Sequence, residues 1–173
     1  DLLLQELPEK VATLLPQLSR RREKNFVAGL SMGGYGAFKM AFSSQQFSYA
    51  ASLSGALMGN PNFPERSTWQ NDAYWRGIFG DLSKFKGSEN DLLALAQQQT
   101  QQQTNLPKLY AWIGEEDYLF ENNQQSIAQI KALGYDVVFE TSHGEHEWYY
   151  WDKQIERVLE WLPINYQQEK RLS

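Results

Sequence analysis

The stretch FVAGLSMGGYG at residues 26–36 decides the fold of this chain. An apolar run leads into the pattern G-x-S-x-G at residues 29–33, and a helical pattern follows. A strand, a tight serine-bearing turn and a helix in this order form a nucleophile elbow, in which flanking glycines avoid side-chain clashes. The turn lifts the hydroxyl clear of the sheet and directs the N–H groups of the helix start towards whatever the serine attacks. We therefore expect Ser31 to be a nucleophile.

Strands and helices alternate along the rest of the chain. The patterns predict strands near residues 25–30, 49–54, 108–113 and 136–141, and helices near residues 2–18, 34–44, 91–99, 121–133 and 147–161. Such alternation is typical of a parallel sheet with helices on both faces. We interpret residues 1–173 as one α/β domain with an inserted, lid-like segment at about residues 58–105, because long connections often form lids or pocket walls. Within that segment, residues 97–104 consist of Gln and Thr, which predicts an exposed helix end or a flexible loop.

Composition excludes several classes of function. With 173 residues, of which 42% are hydrophobic, the chain suits one domain with a sizeable core. The net charge of -5, without a basic patch, argues against nucleic acid or a membrane surface as partner, and no apolar run approaches the roughly 20 residues of a membrane span. The lack of cysteine removes disulfides, thiolate nucleophiles and Cys-ligated metals. The acidic residues 115–117 lack the alternating spacing of a calcium loop, so we expect neither a metal nor a cofactor.

A serine hydroxyl needs a base to remove its proton, and histidine is the usual base near neutral pH. The chain has two histidines, His143 and His146, and both lie in the loop between the last predicted strand and the last predicted helix. Loops at the carboxyl ends of parallel strands gather the catalytic groups of such sheets. We favour His146, which opens the helical run, with His143 as the alternative base and two ordinary loop histidines as the structural alternative.

The base in turn needs a carboxylate that orients its ring and stabilises the charged form. Where a nucleophile elbow is used, the chain order is serine, acid, histidine, so the acid must lie between Ser31 and His146. Asp117 meets this condition at the end of a predicted strand, with Glu115 and Glu116 as neighbours. Acidic residues there are more often solvated loop charges, but the chain order and the strand position favour Asp117.

The remaining part of such a site is an oxyanion hole. Its first donor is expected to be the backbone N–H of Met32, which follows the nucleophile. The second donor comes from a loop after an earlier strand, and neither a strand nor an H-G-G-like loop precedes residue 25, so that donor is expected to be absent from this chain. Leu57, Met58 and Trp148 are candidate substrate-binding residues, although simple core packing also explains each of them.

Three motifs occur in the expected order. They are GLSMGGYGA at residues 29–37, GEEDYLF at residues 114–120 and HEWYYW at residues 146–151. They resemble the elbow, the G-x-x-D acid loop and the H-[DE]-W histidine motif of the esterase D / S-formylglutathione hydrolase-like family, and most closely its bacterial tributyrin esterases. The resemblance implies an α/β-hydrolase fold, with a mostly parallel sheet and helices on both faces. Because the N-terminal strands of the family are lacking, the chain resembles the C-terminal two-thirds of such an enzyme.

The resemblance implies a serine carboxylesterase that hydrolyses short-chain acyl esters through an acyl-enzyme, with Ser31, Asp117 and His146 as the catalytic triad. An S-formylglutathione hydrolase, or another thioesterase or acyltransferase, would use the same residues. A non-catalytic fragment or interaction module on a hydrolase scaffold is the alternative from another class. The expected partner is a small acyl ester, and a homo-oligomer would cover the sheet edge left by the missing strands. The chain opens at Asp1 without methionine, so a signal peptide would be out of sight, and a cytoplasmic location is the expectation.

Overall fold

A four-stranded sheet forms the centre of the molecule, as seen in a computed structural model that describes residues 2–57, 72–102 and 105–164. The strands follow one another across the sheet in chain order, and each neighbouring pair is parallel. They are β1 (Phe26–Leu30), β2 (Tyr49–Leu53), β3 (Lys108–Gly114) and β4 (Val137–Ser142). The parallel α/β sheet predicted from the sequence is therefore confirmed.

Six α-helices connect or flank these strands within the described ranges. They are α1 (Leu7–Leu14), α2 (Met32–Ser43), α3 (Asp72–Phe79), α4 (Leu92–Gln102), α5 (Phe120–Ala132) and α6 (Trp148–Trp161). A π-helical turn at Leu2–Glu6 leads into α1, and short 3₁₀ turns occur at Arg22–Lys24 and Leu82–Lys84. Every strand and helix predicted for these ranges is present, and none of the described helices is long and apolar enough to cross a bilayer.

Both faces of the sheet are covered by helices. Successive residues of a strand point to opposite sides, so each strand contributes to two hydrophobic clusters. In β3, Leu109, Ala111 and Ile113 belong to one hydrophobic cluster, whereas Tyr110 and Trp112 belong to another. Helices α2, α4 and α5 supply the first cluster, and α6 supplies the second. This arrangement confirms the prediction of helices on both faces.

The described part of the segment at residues 58–105 joins the first cluster. The core around Phe38 of α2 also contains Trp75 of α3, Leu92 of α4 and Phe85, which lies between those two helices. These helices are therefore fixed to the domain by apolar burial, which stabilises by about 25 cal/mol for each Å² removed from water. A lid-like role for the segment stays a prediction, and its residues 58–71 and 103–104 lie outside the described ranges.

One residue of the Gln-rich run occupies a position that the sequence does not predict. Gln99 is 2% exposed, its Nε2 donates to the Ala41 carbonyl at 2.8 Å, and its Oε1 accepts from the Tyr135 hydroxyl at 2.8 Å. A buried amide is stable when both of its ends are hydrogen-bonded. The prediction of an exposed end is therefore wrong for Gln99.

The N-terminal helix also departs from its predicted packing. The leucines at residues 2–18 form a stripe at mostly three-to-four spacing, as in an amphipathic helix, but α1 ends at Leu14 and contains no buried residue. The stripe leucines are between 45% and 78% exposed: Leu3, Leu7, Leu14, Leu15 and Leu18. Among the described residues, α1 packs mainly against the turn that precedes it, and the stripe leucines stay largely exposed.

Candidate active site

The backbone at Ser31 is strained and firmly held. Its φ of 51° and ψ of −121° put a non-glycine residue in a region that costs of the order of 1–3 kcal/mol. Hydrogen bonds fix this conformation from both sides, since the Ser31 N–H donates to the Leu53 carbonyl at 2.9 Å and the Ser31 carbonyl accepts from the Ala56 N–H at 3.0 Å. The hydroxyl therefore stands at the carboxyl end of β1, directly before α2.

Close backbone approach explains two of the glycines around the serine. A Cβ on Gly29 would lie 2.1 Å from the carbonyl oxygen of Gly33, and one on Gly34 would lie 2.4 Å from Ser52 Oγ. A Cβ on Gly33 would meet nothing within 4 Å. The expected steric need for flanking glycines thus holds for Gly29 but not for Gly33, and Gly34 is the second glycine that the turn requires.

The structure brings Ser31, His146 and Asp117 together in one hydrogen-bonded chain. His146 Nε2 lies 2.9 Å from Ser31 Oγ, and His146 Nδ1 lies 2.8 Å from Asp117 Oδ2. Each residue follows the carboxyl end of a different strand, namely β1, β4 and β3. The three residues singled out from the sequence are therefore neighbours in space.

Asp117 is held so that only one of its oxygens faces the imidazole. Its side chain is fully buried, and Oδ1 accepts the backbone N–H of Leu119 at 2.9 Å. An ionised carboxylate has no proton to donate, so Nδ1 of His146 must carry the hydrogen towards Oδ2. Nε2 of the neutral ring is then an acceptor and is able to take the hydroxyl proton of Ser31.

Aromatic rings surround the imidazole of His146 and leave its side chain 16% exposed. The ring of Tyr118 lies 4.6 Å from that of His146, between centroids, and is tilted by 45°. Trp151, at the start of α6, approaches at 4.9 Å and 88°. These contacts restrict the ring to the orientation in which it meets both hydrogen-bond partners.

His143, the alternative base, has a different partner. Its Nδ1 lies 2.7 Å from Oε1 of Glu116, and its side chain is 76% exposed. The hydrogen bond to Glu116 and, after it, the charge of Glu116 raise the pKa of this imidazole. The sequence predicts only a solvated loop charge at Glu116, because no local pattern distinguishes this acid from its neighbours.

The remaining candidate residues are placed as follows. Met32 is the first residue of α2, where helix geometry leaves the backbone N–H without a partner in the helix. Leu57 is fully buried in the core and presents no surface to a substrate, and Met58 lies outside the described residues. Trp148 is 72% exposed at the start of α6.

Trp148 borders an apolar groove of about 300 Å³ beside β1 and α6. Its other lining residues include Ala28, Leu30 and Ile155, but neither Ser31 nor His146. The groove nevertheless adjoins the hydrogen-bonded chain, because Leu30 directly precedes Ser31 and Trp151, another lining residue, packs against His146. Among the residues that the structure describes, no group of three or more His, Asp or Glu side chains is arranged to hold a metal ion.

Comparison with known proteins shows which family the chain belongs to. A family model described as "Putative esterase" matches residues 1–162. The chain belongs to this esterase family. It is 35% identical over 163 residues to an acetyl esterase of Caldicellulosiruptor saccharolyticus, covering 91% of the chain and 60% of that protein. The predicted kinship with esterase D / S-formylglutathione hydrolase-like proteins is thereby confirmed.

Solved structures with an α/β-hydrolase fold agree with this membership. An S-formylglutathione hydrolase, FrmB, of Staphylococcus aureus superposes with a TM-score of 0.78 at 33% identity, covering 91% of this chain and 61% of that one. The serine hydrolase FphF of the same organism, which binds fluorophosphonates, gives 0.79 at 32% identity, covering 92% and 62%. The chain thus spans about three-fifths of the length of these relatives, and its α/β-hydrolase fold is confirmed.

Proposed function

We propose that the protein containing this chain is a serine carboxylesterase with Ser31 as nucleophile, His146 as general base and acid, and Asp117 as the orienting carboxylate. The main support for this proposal is a pair of short contacts made by His146. Its Nε2 lies 2.9 Å from Ser31 Oγ, and its Nδ1 lies 2.8 Å from Asp117 Oδ2. Contacts of this length are what proton transfer from a serine to a histidine requires. The strained backbone of Ser31 supports the assignment, because such strain clusters at active sites.

The reaction proceeds in two halves on these residues. Ser31 Oγ attacks the ester carbonyl carbon while His146 Nε2 takes the hydroxyl proton, and the Met32 N–H helps to bind the resulting oxyanion. The carbon–oxygen bond to the alcohol then breaks, and His146 returns the proton to the departing alkoxide. A water molecule attacks the acyl-enzyme with His146 again as base, and the carboxylic acid leaves as Ser31 regains its proton.

Short acyl esters are the proposed substrates. The supporting observation is the 35% identity with a protein described as an acetyl esterase. A second candidate is hydrolysis of an S-acyl thioester, which is favoured by the 33% identity with an S-formylglutathione hydrolase. Both reactions pass through the same acyl-enzyme and differ in the group that leaves first, so comparison of the two turnover rates separates them.

Labelling with a fluorophosphonate probe tests the proposal, because an unactivated serine does not react. In the full-length protein we expect covalent labelling of the peptide that contains Ser31, together with turnover of p-nitrophenyl acetate and butyrate. Ser31→Ala should lose both signals. Ser43→Ala, which removes an exposed hydroxyl that donates to the Lys39 carbonyl, should keep them. A folded protein that labels no serine would instead support the non-catalytic module.

A further inference from the structure

The loop that carries the proposed acid and the loop that carries the proposed base run side by side beyond the sheet. The N–H of Glu115 donates to the Ser142 carbonyl at 2.9 Å, and the N–H of Glu116 donates to the Gly144 carbonyl at 3.1 Å. These bonds extend the β3–β4 pairing past its last residue pair, Gly114 and Ser142. The two loops are therefore joined before either of them reaches the proposed active site.

The carboxylate of Glu116 adds a second connection at the same place. Its Oε2 accepts the Gly144 N–H at 2.6 Å, and its Oε1 accepts from His143 Nδ1 at 2.7 Å. Together with the backbone bond, Glu116 thus binds both the N–H and the carbonyl of Gly144. Hydrogen bonds to an ionised acceptor are shorter and roughly twice as strong as neutral ones.

Steric contacts show how tightly the loops are apposed. A Cβ on Gly114 would lie 2.0 Å from the Gly144 carbonyl oxygen. A Cβ on Gly144, which is buried, would lie 3.1 Å from the rings of Trp112 and Tyr150. The backbone of the histidine loop therefore has almost no room to shift against the acid loop while the Glu116 contacts hold.

The position of these contacts links them to the reaction. Glu116 directly precedes Asp117, and Gly144 precedes His146 by two residues. The Glu116–Gly144 contacts therefore span the same two loops as the bond between Asp117 and His146. Any loosening of the first connection changes the distance on which the second depends.

We propose that Glu116 is a positioning residue that holds the histidine loop against the acid loop and so keeps His146 within reach of Ser31 and Asp117. This inference rests on the proposed function. Glu116 touches none of the reacting atoms, and its effect passes through Gly144. His143 is a secondary, protonation-dependent part of the same contact, because an exposed ion pair contributes little on its own.

Charged groups around His143 come from two loops. Glu116 and Glu115 face it from the acid loop, Glu145 follows it in its own loop, and the ring of Tyr150 in α6 contacts it edge-on at 5.8 Å. The hydrogen bond and charge of Glu116 are the main causes that raise the pKa of His143. The pKa of Glu116 is lowered in turn, chiefly by the hydrogen bond from the Gly144 N–H and secondarily by the hydrogen bond from His143.

Steady-state kinetics on the full-length protein provide the first test, with Glu115→Ala as the matched control. Glu115 bears the same charge one residue earlier, but the hydrogen bond of its side chain within the described residues is a 3.3 Å contact to the exposed Thr141 hydroxyl. We expect Glu116→Ala to lower kcat roughly tenfold with KM nearly unchanged, because small misplacement of catalytic groups is costly. Glu116→Gln keeps an acceptor for Gly144 and should restore most of kcat. Equal kcat values for Glu116→Ala and Glu115→Ala would overturn the inference.

Histidine NMR titration gives a readout that does not depend on turnover. The His143 signals are identified by their loss in His143→Gln. In the parent protein the pKa of His143 should lie above its ordinary value, and Glu116→Gln should lower it more than Glu115→Gln does. A His143 pKa that ignores Glu116→Gln would mean that the contact does not form in solution, which contradicts the inference.

The two proposals fail in different ways. If the proposed function is wrong, the parent protein neither turns over esters nor labels at Ser31. If only the positioning role is wrong, the parent protein is active and Glu116→Ala matches it in kcat. If Glu116→Ala folds poorly, the His143 titrations of the parent protein, Glu116→Gln and Glu115→Gln still test the contact without any need for turnover.

Discussion

Nε2 of His146 lies 2.9 Å from Oγ of Ser31, although 115 residues separate the two in the chain. Ser31 follows β1 and His146 follows β4, which are the two outer strands of the described sheet. Neighbouring strands are about 4.8 Å apart, so these two are separated by about 14 Å. The loop after β4 must therefore reach back across the strand ends, and every contact that fixes this loop bears on the distance.

Replacement of His146 should abolish esterase activity. His146→Gln keeps a polar side chain but removes the group that accepts the Ser31 proton, so we expect kcat to fall by at least about a thousandfold. His143→Gln, which leaves the chain from Ser31 to Asp117 intact, should lose far less. Turnover of p-nitrophenyl acetate by the two variants measures the difference. A larger loss in His143→Gln would mean that His143, and not His146, is the base.

Asp117→Asn should impair catalysis strongly while leaving the protein folded. The amide keeps an acceptor for the Leu119 N–H, but it removes the charge that orients the imidazole and stabilises its protonated form. A loss of about 10⁴-fold in kcat is typical of this change in a serine triad. Activity should be compared with circular dichroism of the same sample. Activity near that of the parent protein would argue against Asp117 as the acid.

Gly29→Ala should destabilise the elbow, with Gly36→Ala as the control in the helix that follows. The new methyl on residue 29 would meet the Gly33 carbonyl, and overpacking of this kind costs about 1–3 kcal/mol. A Cβ on Gly36 meets nothing within 4 Å, so the better helix propensity of alanine should add about 0.5–1 kcal/mol. Urea unfolding measures both. Equal free energies of unfolding would contradict the steric account of Gly29.

Gln99→Ala should cost more stability than its sequence context indicates. The change leaves the Ala41 carbonyl without its donor and opens a gap beside Tyr135, and an unsatisfied buried group costs about 1–3 kcal/mol. Gln97→Ala, in the same run but exposed, should stay within about 0.5 kcal/mol of the parent protein. Thermal unfolding of the two variants tests this contrast, which vanishes if Gln99 is solvated.

The ion pair of His143 and Glu116 should make stability depend weakly on pH. Because folding raises the pKa of His143, its contribution is complete below the ordinary value of 6.5 and is lost as pH rises through the folded pKa. Because folding lowers the pKa of Glu116, its contribution is complete above 4.5 and is lost as pH falls through the folded pKa. The difference in unfolding free energy between parent and His143→Gln should therefore be largest between these values. A difference that is flat from pH 4 to 9 would exclude the pair.

The sequence predicts the sheet and the proposed triad because both depend on local patterns. The apolar runs that become β1 to β4 are short, and they alternate with helical patterns. A chain with only two histidines, both in one loop, leaves few choices for a base to Ser31. Chain order and the position after a strand then favour an acid at residues 115–117, and the resemblance to the G-x-x-D motif points to Asp117 among them. None of these steps requires knowledge of long-range packing.

Other features escape the sequence because burial and pairing depend on distant partners. Glu116 is indistinguishable from a solvated loop acid until Gly144 and His143 lie against it. Gln99 belongs to a polar run whose composition suggests solvent, yet two partners far away in the chain hold it in the core. The leucine stripe within residues 3–18 shows the converse, because its members have amphipathic spacing yet stay between 45% and 78% exposed.

The two-faced core has a mechanical consequence for the reactive contact. Ser31 is tied to α2, which packs on the first face of the sheet, whereas the loop of His146 leads into α6, which packs on the second. The hydroxyl and the imidazole are thus anchored to opposite layers and meet over the rim of the sheet between them. The distance between Ser31 Oγ and His146 Nε2 therefore depends on how the two helix layers are aligned across the sheet. Truncation of a buried side chain of α6 such as Val158 should accordingly change this distance.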